Sequence, residues 1–191
     1  MHNAIDPDGW IQTATSGQVW PLEAIGQIRL MDIAHSLSQI CRFNGHTHAF
    51  YSVAQHSVTA SRLIAPEHAA WGLLHDAAEA YIGDITRPVK RNLYAHVTEG
   101  VVGDYVSINE IERNLQKLIA SHFALSWPPP VEEIEEVDLQ LLHSERRALL
   151  GPSPQPWGNP RPFEAVRIIP VSSQIAKEIF LARAAELGIK G

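Results

Sequence analysis

The stretch of sequence that decides the fold reads WGLLHDAAE, residues 71–79 of a chain of 191 residues. Its apolar side chains recur at three- and four-residue spacings, which predicts a buried amphipathic helix from Pro66 to a stop at Gly83. His75 falls on the apolar face of this helix, four residues after Trp71. A polar ring in that position needs a partner, because burial of an unpaired polar group costs free energy.

The rest of the chain predicts a mainly α fold in a single domain, residues 1–191. Further helices are predicted where apolar positions recur at helical spacing and capping residues precede them. They begin near Met31, Ser52, Ser107, Val131 and Ser173. The last of them is the C-terminal helix, predicted over residues 173–187.

Three segments are predicted not to be helical. Apolar residues flank Thr15-Ser16-Gly17 within residues 10–20, which favours a short N-terminal β-hairpin or extended segment. Residues 84–104 are polar and are predicted to be irregular. Residues 151–170 contain repeated prolines and predict an extended segment, because proline neither continues a helix nor donates to a sheet.

Composition narrows the class of protein. Apolar residues make up 45% and charged residues 19% of the chain, as in ordinary globular proteins. The net charge of −6 argues against a nucleic-acid partner, which needs clustered Lys and Arg. Cys41 is the only cysteine, which excludes an internal disulfide and a cysteine-based zinc site. No stretch approaches the roughly 18 apolar residues of a membrane span, so we expect no membrane partner and a cytoplasmic location.

Three other polar side chains are predicted on, or next to, the apolar face of a helix, as His75 is. His56 lies on the apolar stripe of its helix, Asp138 lies on the buried face of an acidic helix, and Asp76 is adjacent to His75. A single buried histidine is usually a hydrogen-bonded core residue. Four such residues on three helices each need a partner, and one shared divalent cation would satisfy all of them.

Two imidazoles and two carboxylates form a mixed nitrogen and oxygen ligand set. Such a set suits Mn, Co, Zn, Fe, Ni or Mg without selecting one of them. Coordination positions that stay open for water are typical of catalytic sites. His56, His75, Asp76 and Asp138 are therefore the predicted metal ligands, and hydrolysis is the predicted chemistry.

Two motifs surround these ligands: His-Asp-x-x-Glu at residues 75–79 and Gly-Asp-x-x-x-Pro-x-Lys at residues 83–90. With residues 41–43 and 51–57, they resemble the HD-domain metal-dependent phosphohydrolases. The resemblance is greatest to the subgroup that contains bacterial 5′-deoxynucleotidases and phage dATP triphosphohydrolases, and it covers about residues 30–150. It implies an HD-domain helical bundle whose catalytic metal is held by the four ligands predicted above.

The resemblance also implies catalytic roles for two acidic residues. Glu79 matches a glutamate that acts on the attacking water or on the leaving oxygen. Its spacing agrees, since a residue four positions after His75 shares that helix face. Asp84 matches an aspartate that faces the substrate and, in triphosphatases, helps to hold further ions such as Mg near the substrate phosphates.

Three more residues are expected to bind substrate by the same resemblance. Arg42 matches an arginine that grips the phosphate, in keeping with the fork geometry of a guanidinium group. Lys90 is a second candidate for phosphate binding. Phe43 stands where some relatives carry Trp, so it is expected at the surface against which the substrate stacks.

The expected activity is hydrolysis of a nucleotide by attack of metal-activated water on the α-phosphorus. A deoxynucleotide is the expected substrate. A 5′-deoxynucleotidase releases phosphate and a triphosphohydrolase releases triphosphate, but the attack point is the same, so both stay open. One alternative is a non-catalytic nucleotide-binding or regulatory module. Another is a cyclic-nucleotide phosphodiesterase, which the absence of a Gly-Tyr-Pro signature disfavours. The resemblance further implies a homo-oligomer.

Overall fold

The computed structural model describes residues 8–97, 104–155, 157 and 164–190. The described chain is mainly α-helical, with a short antiparallel sheet before the first helix, and the predicted mainly α class is confirmed. In chain order the elements are β1 (Ile11–Gln12), β2 (Gln18–Trp20), β3 (Ile25–Gly26), α1 (Leu30–Gln39), α2 (Val53–Leu63), α3 (Ala69–Leu74), α4 (Glu79–Ile82), α5 (Arg87–Lys90), β4 (Tyr94–Val97), β5 (Asp104–Ser107), α6 (Ile108–His122), α7 (Val131–Leu149) and α8 (Ser173–Glu186).

The N-terminal sheet is a three-stranded antiparallel meander. In β1 and β2, Ile11 pairs with Val19, as the predicted hairpin requires, and Val19 pairs in turn with Gly26 of β3. The third strand has only two residues, which is too short to produce an alternating sequence pattern. Val19 is fully buried and joins the main hydrophobic core, so the sheet covers one end of the helices.

The helices enclose one large core and one smaller cluster. The large core takes its buried side chains from α1, α2, α3, α6 and α8, among them Ile33, Leu37, Val58, Leu74, Leu115, Ile119 and Phe180. The smaller cluster joins the end of α2 to α7 through Ala60, Ile64, Val137 and Leu141. Because α2 belongs to both, its buried face can present one side chain to α3 and α7 at the same time.

The predicted continuous helix from Pro66 to Gly83 is wrong. The helix is interrupted between Leu74 and Glu79, where the amide of Ala77 donates to the carbonyl of Leu74 and the amide of Glu79 donates to the carbonyl of Asp76. These bonds span three residues rather than four, so the chain is wound more tightly than an α-helix. The His75 carbonyl instead accepts a hydrogen bond from Gln116 Nε2 at 2.8 Å.

The segment predicted to be irregular, residues 84–104, contains ordered structure. Helix α5 is followed by strand β4, which pairs with β5 so that Tyr94 lies opposite Ser107 and His96 opposite Tyr105. Ala95 and Val106 pack against the large core, whereas Tyr94 and Tyr105 are exposed. The prediction for residues 98–103 lies outside the described residues.

The proline-rich segment connects α7 to α8 without a helix or strand in its described part, residues 151–155, 157 and 164–170. Its remaining residues lie outside the described part of the chain. Gln55 of α2 holds the segment, because its side chain donates to the Ile169 carbonyl at 2.7 Å and accepts from the Val171 amide at 3.0 Å. The predicted C-terminal helix is confirmed as α8. No helix within the described ranges is long and apolar enough to cross a bilayer.

Candidate metal centre

The two predicted histidine ligands meet where α2 packs against α3. Helix α2 begins after Ser52, whose hydroxyl accepts the Gln55 amide at 3.1 Å, and this start places His56 on the fully buried face. His75 follows the last residue of α3, and the two Nε2 atoms are 3.3 Å apart. The helices approach closely at Gly72, where an added Cβ would lie 2.8 Å from the Cα of Ser61.

Carboxylate oxygens surround the two facing nitrogens. Asp138 Oδ1 lies 3.4 Å from His56 Nε2, and Asp76 Oδ2 lies 3.6 Å from His56 Nε2 and 3.2 Å from His75 Nε2. One ligand atom each of His56, His75 and Asp138 lies within 4.8 Å of the others, so this group could hold a metal ion. The structure therefore brings together three of the predicted ligands and sets Asp76 beside them.

The hydrogen bonds of the two rings fit a metal site. His56 Nδ1 is 2.7 Å from Glu145 Oε1, and His75 Nδ1 is 2.9 Å from the Gly72 carbonyl. Both partners are acceptors, so each neutral ring carries its proton on Nδ1 and directs the lone pair of Nε2 to the centre. Two lone pairs and two carboxylates then face one another, and a cation at the centre would relieve their repulsion.

A proton competes with a metal for the same position. Burial lowers the pKa of the His75 ring, but the charge and hydrogen bond of Asp76 outweigh burial and raise it to about 9. Burial in turn raises the pKa of Asp76, yet His75, His56 and Arg42 hold it well below its ordinary value. Metal binding at this site must therefore displace a proton from the imidazole.

Arg42 is positioned beside the centre by the chain that links α1 to α2. Cys41 pairs with Ser52 in an isolated antiparallel bridge, and the Arg42 amide donates to the Tyr51 carbonyl at 2.9 Å. The Arg42 side chain is only 11% exposed. It therefore points into the protein rather than into solvent.

The Arg42 guanidinium faces three carboxylates. Its Nε donates to Glu145 Oε2 at 2.9 Å, and its two terminal nitrogens lie 3.7 Å from the oxygens of Asp76 and Asp138. Burial lowers the pKa of Arg42, but these carboxylates raise it above its ordinary value, so the group stays cationic. The sequence-based prediction of a cation beside the metal ligands agrees with this placement.

Glu145 is the residue that sequence reasoning missed. It is fully buried, and its two oxygens link His56 to Arg42. Burial raises its pKa, but His56 and Arg42 lower it to about 2. A signal was present, because Glu145 follows Asp138 by seven residues and Leu141 by four and so lies on the buried stripe of α7.

Glu79 and Asp84 differ from the ligands in their electrostatics. Glu79 is 7% exposed at the start of α4, and its Oε2 has no hydrogen-bond partner among the residues that the structure describes. Burial, followed by the charges of Asp76 and Asp84, raises the pKa of Glu79 well above its ordinary value. Burial also raises the pKa of the half-buried Asp84. Glu79 therefore retains its proton to higher pH than an ordinary glutamate, beside the predicted ligands.

Phe43 lies next to a second aromatic residue that the sequence did not reveal. Its backbone is left-handed, with φ 55° and ψ 30°, a conformation that costs free energy in a residue with a side chain. Its ring centre is 6.3 Å from that of Trp157, and the Arg42 guanidinium carbon lies 5.7 Å from the Phe43 ring centre. The two rings therefore adjoin the charged centre through Arg42.

Lys90 does not contact the ligands. Its ammonium group pairs with Glu112 of α6. Another cation on the same short helix lies closer to the centre, since Arg87 Nη2 is 3.6 Å from Asp138 Oδ2. Sequence reasoning missed Arg87, which occupies a variable position of the Gly-Asp-x-x-x-Pro-x-Lys motif.

Comparison with known proteins yields relatives without an assigned function. No protein-family model matches the chain. The uncharacterized protein YfdR of Escherichia coli (strain K12) is 42% identical over 124 residues, which cover 64% of this chain and 61% of the relative. An uncharacterized protein of Rhodobacter capsulatus is 42% identical over 72 residues, which cover 33% of this chain and 37% of that protein. The chain thus spans less than two thirds of the length of the curated relatives that it matches.

Proposed function

We propose that this protein is a metal-dependent phosphohydrolase of deoxynucleotides and that it belongs to the HD-domain class that its motifs resemble. The observation that carries the proposal is one cluster in which His56, His75 and Asp138 face a common centre, with Arg42 and Glu79 beside them. A metal-ligand group alone would be compatible with a structural site. A buried cation and a carboxyl group of raised pKa beside it are what phosphate-ester hydrolysis requires in addition.

Four residues would hold the metal: His56, His75, Asp138 and, as a further carboxylate, Asp76. Imidazole and carboxylate ligands suit Mn, Co, Zn, Fe, Ni or Mg, and the ligand types do not select among these ions. When bound, such an ion lowers the pKa of a coordinated water and polarises a phosphoryl oxygen. Glu145 would keep His56 in the tautomer that binds metal, because it accepts the Nδ1 proton.

The protein's own residues account for charge and proton movement in the reaction. The oxygen of water attacks the α-phosphorus as the bond to the 5′-oxygen breaks, and Arg42 balances negative charge on the phosphoryl oxygens. Glu79, whose raised pKa favours the protonated form, donates its proton to the departing 5′-oxygen, and the proton that the attacking water releases restores the protonated Glu79. Asp84 supports this role, since its charge contributes to the raised pKa of Glu79. The products are a nucleoside and either phosphate or triphosphate.

The proposal is tested by incubating the protein with dAMP and with dATP in the presence of Mn or Co and identifying the products. Glu79→Gln should lower kcat by about 10²–10⁴-fold while the bound metal content stays the same, as expected for loss of a general acid. The matched control is Glu136→Gln, which changes an exposed glutamate of α7 and should retain wild-type kcat.

Two results would contradict the proposal. Absence of turnover with every nucleotide and metal tested would exclude a nucleotide phosphohydrolase, and nucleotide binding without turnover would indicate a regulatory module instead. Equal kcat for wild type and Glu79→Gln would remove the proposed proton donor.

A further inference from the structure

An open cavity of about 580 Å³ lies next to the proposed metal centre. It is lined by side chains of α5, α6 and α7, among them Arg87, Lys90, Arg91, Asn109, Glu135 and Asp138. Asp138 is also one of the three residues whose ligand atoms converge. The cavity and the proposed metal centre therefore adjoin each other at a shared carboxylate.

The cations of the cavity lie on one side of the helical turn formed by α5 and Arg91, the residue that follows it. Arg87, Lys90 and Arg91 are spaced by three and four residues, which places them on the same side of a helical turn. Lys90 is paired with Glu112. Arg87 is 64% exposed and Arg91 is exposed as well. Both side chains are therefore accessible to a ligand.

Arg87 connects the cavity to the centre. Its Nη2 lies 3.6 Å from Asp138 Oδ2, while Oδ1 of the same carboxylate lies 3.4 Å from His56 Nε2. An anion that binds at the centre and extends past Asp138 would meet Arg87 first and Arg91 next, one helical turn further along the chain. Guanidinium groups bind phosphate oxygens in pairs, which makes phosphoryl groups the ligand chemistry that fits.

We propose that Arg87 and Arg91 bind the β- and γ-phosphates of a deoxynucleoside triphosphate and so select triphosphates over monophosphates. This inference rests on the proposed phosphohydrolase function and names its substrate class. A monophosphate with its phosphorus at the centre has no second phosphoryl group to place in the cavity, so it lacks the phosphate contacts with these two arginines. A triphosphate gains charge-assisted hydrogen bonds there, and its hydrolysis at the α-phosphorus leaves tripolyphosphate in the cavity.

The first test measures binding and needs no turnover. Calorimetric titration with inorganic tripolyphosphate and with orthophosphate, in the presence of Mn, should show tighter binding of tripolyphosphate to the wild type. Arg87→Ala and Arg91→Ala should each weaken tripolyphosphate binding by roughly ten-fold, the size expected for one charged hydrogen bond. Arg62→Ala, at an exposed position of α2, is the control and should bind like the wild type. The inference would be overturned if the wild type bound tripolyphosphate and orthophosphate with equal affinity. It would also be overturned if Arg87→Ala and Arg91→Ala both bound tripolyphosphate as tightly as the wild type does.

The second test compares substrates. The ratio of kcat/KM for dATP to kcat/KM for dAMP should fall by roughly ten-fold in Arg87→Ala and in Arg91→Ala, and 31P NMR should identify tripolyphosphate as the product from dATP. An unchanged ratio would refute selection by these arginines and leave the phosphohydrolase function intact. Failure of the wild type to hydrolyse either nucleotide would refute that function, and the binding test would still decide whether the cavity holds polyphosphate. The metal content of each variant is measured as well. A lower metal content in Arg87→Ala would show that this substitution disturbs Asp138 rather than removing a phosphate contact.

Discussion

At the scale of single residues, Glu145 determines how the other charged groups of the site are arranged. It accepts hydrogen bonds from the Nδ1 of His56 and the Nε of Arg42, so one buried carboxylate contacts both a histidine that could hold a metal and the buried cation beside it. Carboxylates that orient metal-bound histidines in this way raise metal affinity. A fully buried carboxylate without partners would destabilise the fold, and the hydrogen bonds from His56 and Arg42 offset that cost.

The effect of Glu145 on stability should depend on pH. His56 and Arg42 lower its pKa from an ordinary value of 4.5 to about 2 against the opposing effect of burial. The unfolded chain therefore takes up this proton at higher pH than the folded chain does. The stabilisation is complete above pH 4.5 and is lost as the pH falls from about 4.5 to about 2. It amounts to about 3 kcal/mol.

Urea unfolding of the wild type and Glu145→Gln in the presence of a chelator, from pH 7 to pH 2, checks this expectation. The difference in free energy of unfolding should be largest at pH 7 and should shrink towards zero near pH 2. A difference that stays constant over this range would show that the ionised carboxylate is not what stabilises the fold.

At the scale of elements, the contact between α2 and α3 determines the separation of the two histidines. Gly72 permits this contact, and Gln116 of α6 satisfies the His75 carbonyl where the helix is wound more tightly. The helical periodicity of residues 71–79 predicted the helix but not its interruption, because the group that replaces the lost backbone hydrogen bond lies 41 residues away. Tight winding in the middle of a helix is common at functional sites.

Gly72→Ala should separate α2 from α3. Its Cβ would lie 2.8 Å from both Ser61 Cα and Ile64 Cγ2, so a helix has to move. We expect a loss of about 1–3 kcal/mol in the free energy of unfolding, despite the better helix propensity of alanine, together with weaker Mn binding. Gly151→Ala is the matched control, since its Cβ would have only His48 Nε2 nearby at 3.9 Å. Wild-type stability and Mn affinity in Gly72→Ala would contradict this role of the helix contact.

At the scale of the whole molecule, α8 packs against the core that carries α2 and α3, the helices of the two central histidines. Phe180 is fully buried in the same cluster as residues of α1, α2 and α3. Arg183 adds a polar link, since its Nε and Nη2 donate to the hydroxyl and carbonyl of Ser61 near the end of α2, both at 3.0 Å. The C-terminal helix is therefore expected to unfold together with the site, as the predicted single domain requires.

Phe180→Ala should lower the free energy of unfolding by about 3–5 kcal/mol, because it removes a large side chain from a closed core. Circular dichroism and tryptophan fluorescence should follow one coincident transition in the wild type and in the variant. Ile175→Ala, on the exposed face of the same helix, is the control and should cost far less. Two separate transitions, or loss of α8 alone with Mn binding retained, would show that α8 is an independent unit.

The sequence by itself determined the mainly α class, the helices α1, α2, α6, α7 and α8, and three residues that could bind a metal, His56, His75 and Asp138. Each of these depends on neighbours within about one helical turn, as for His75 in its apolar stripe or Ser52 at its cap. Only the tertiary structure decided that Glu145 joins Arg42 to His56, partners 103 and 89 residues away, and that Arg87 lies beside Asp138. The physical reason is that a buried charge is tolerated only next to its partner, and helix packing, which no local pattern encodes, brings the partners together.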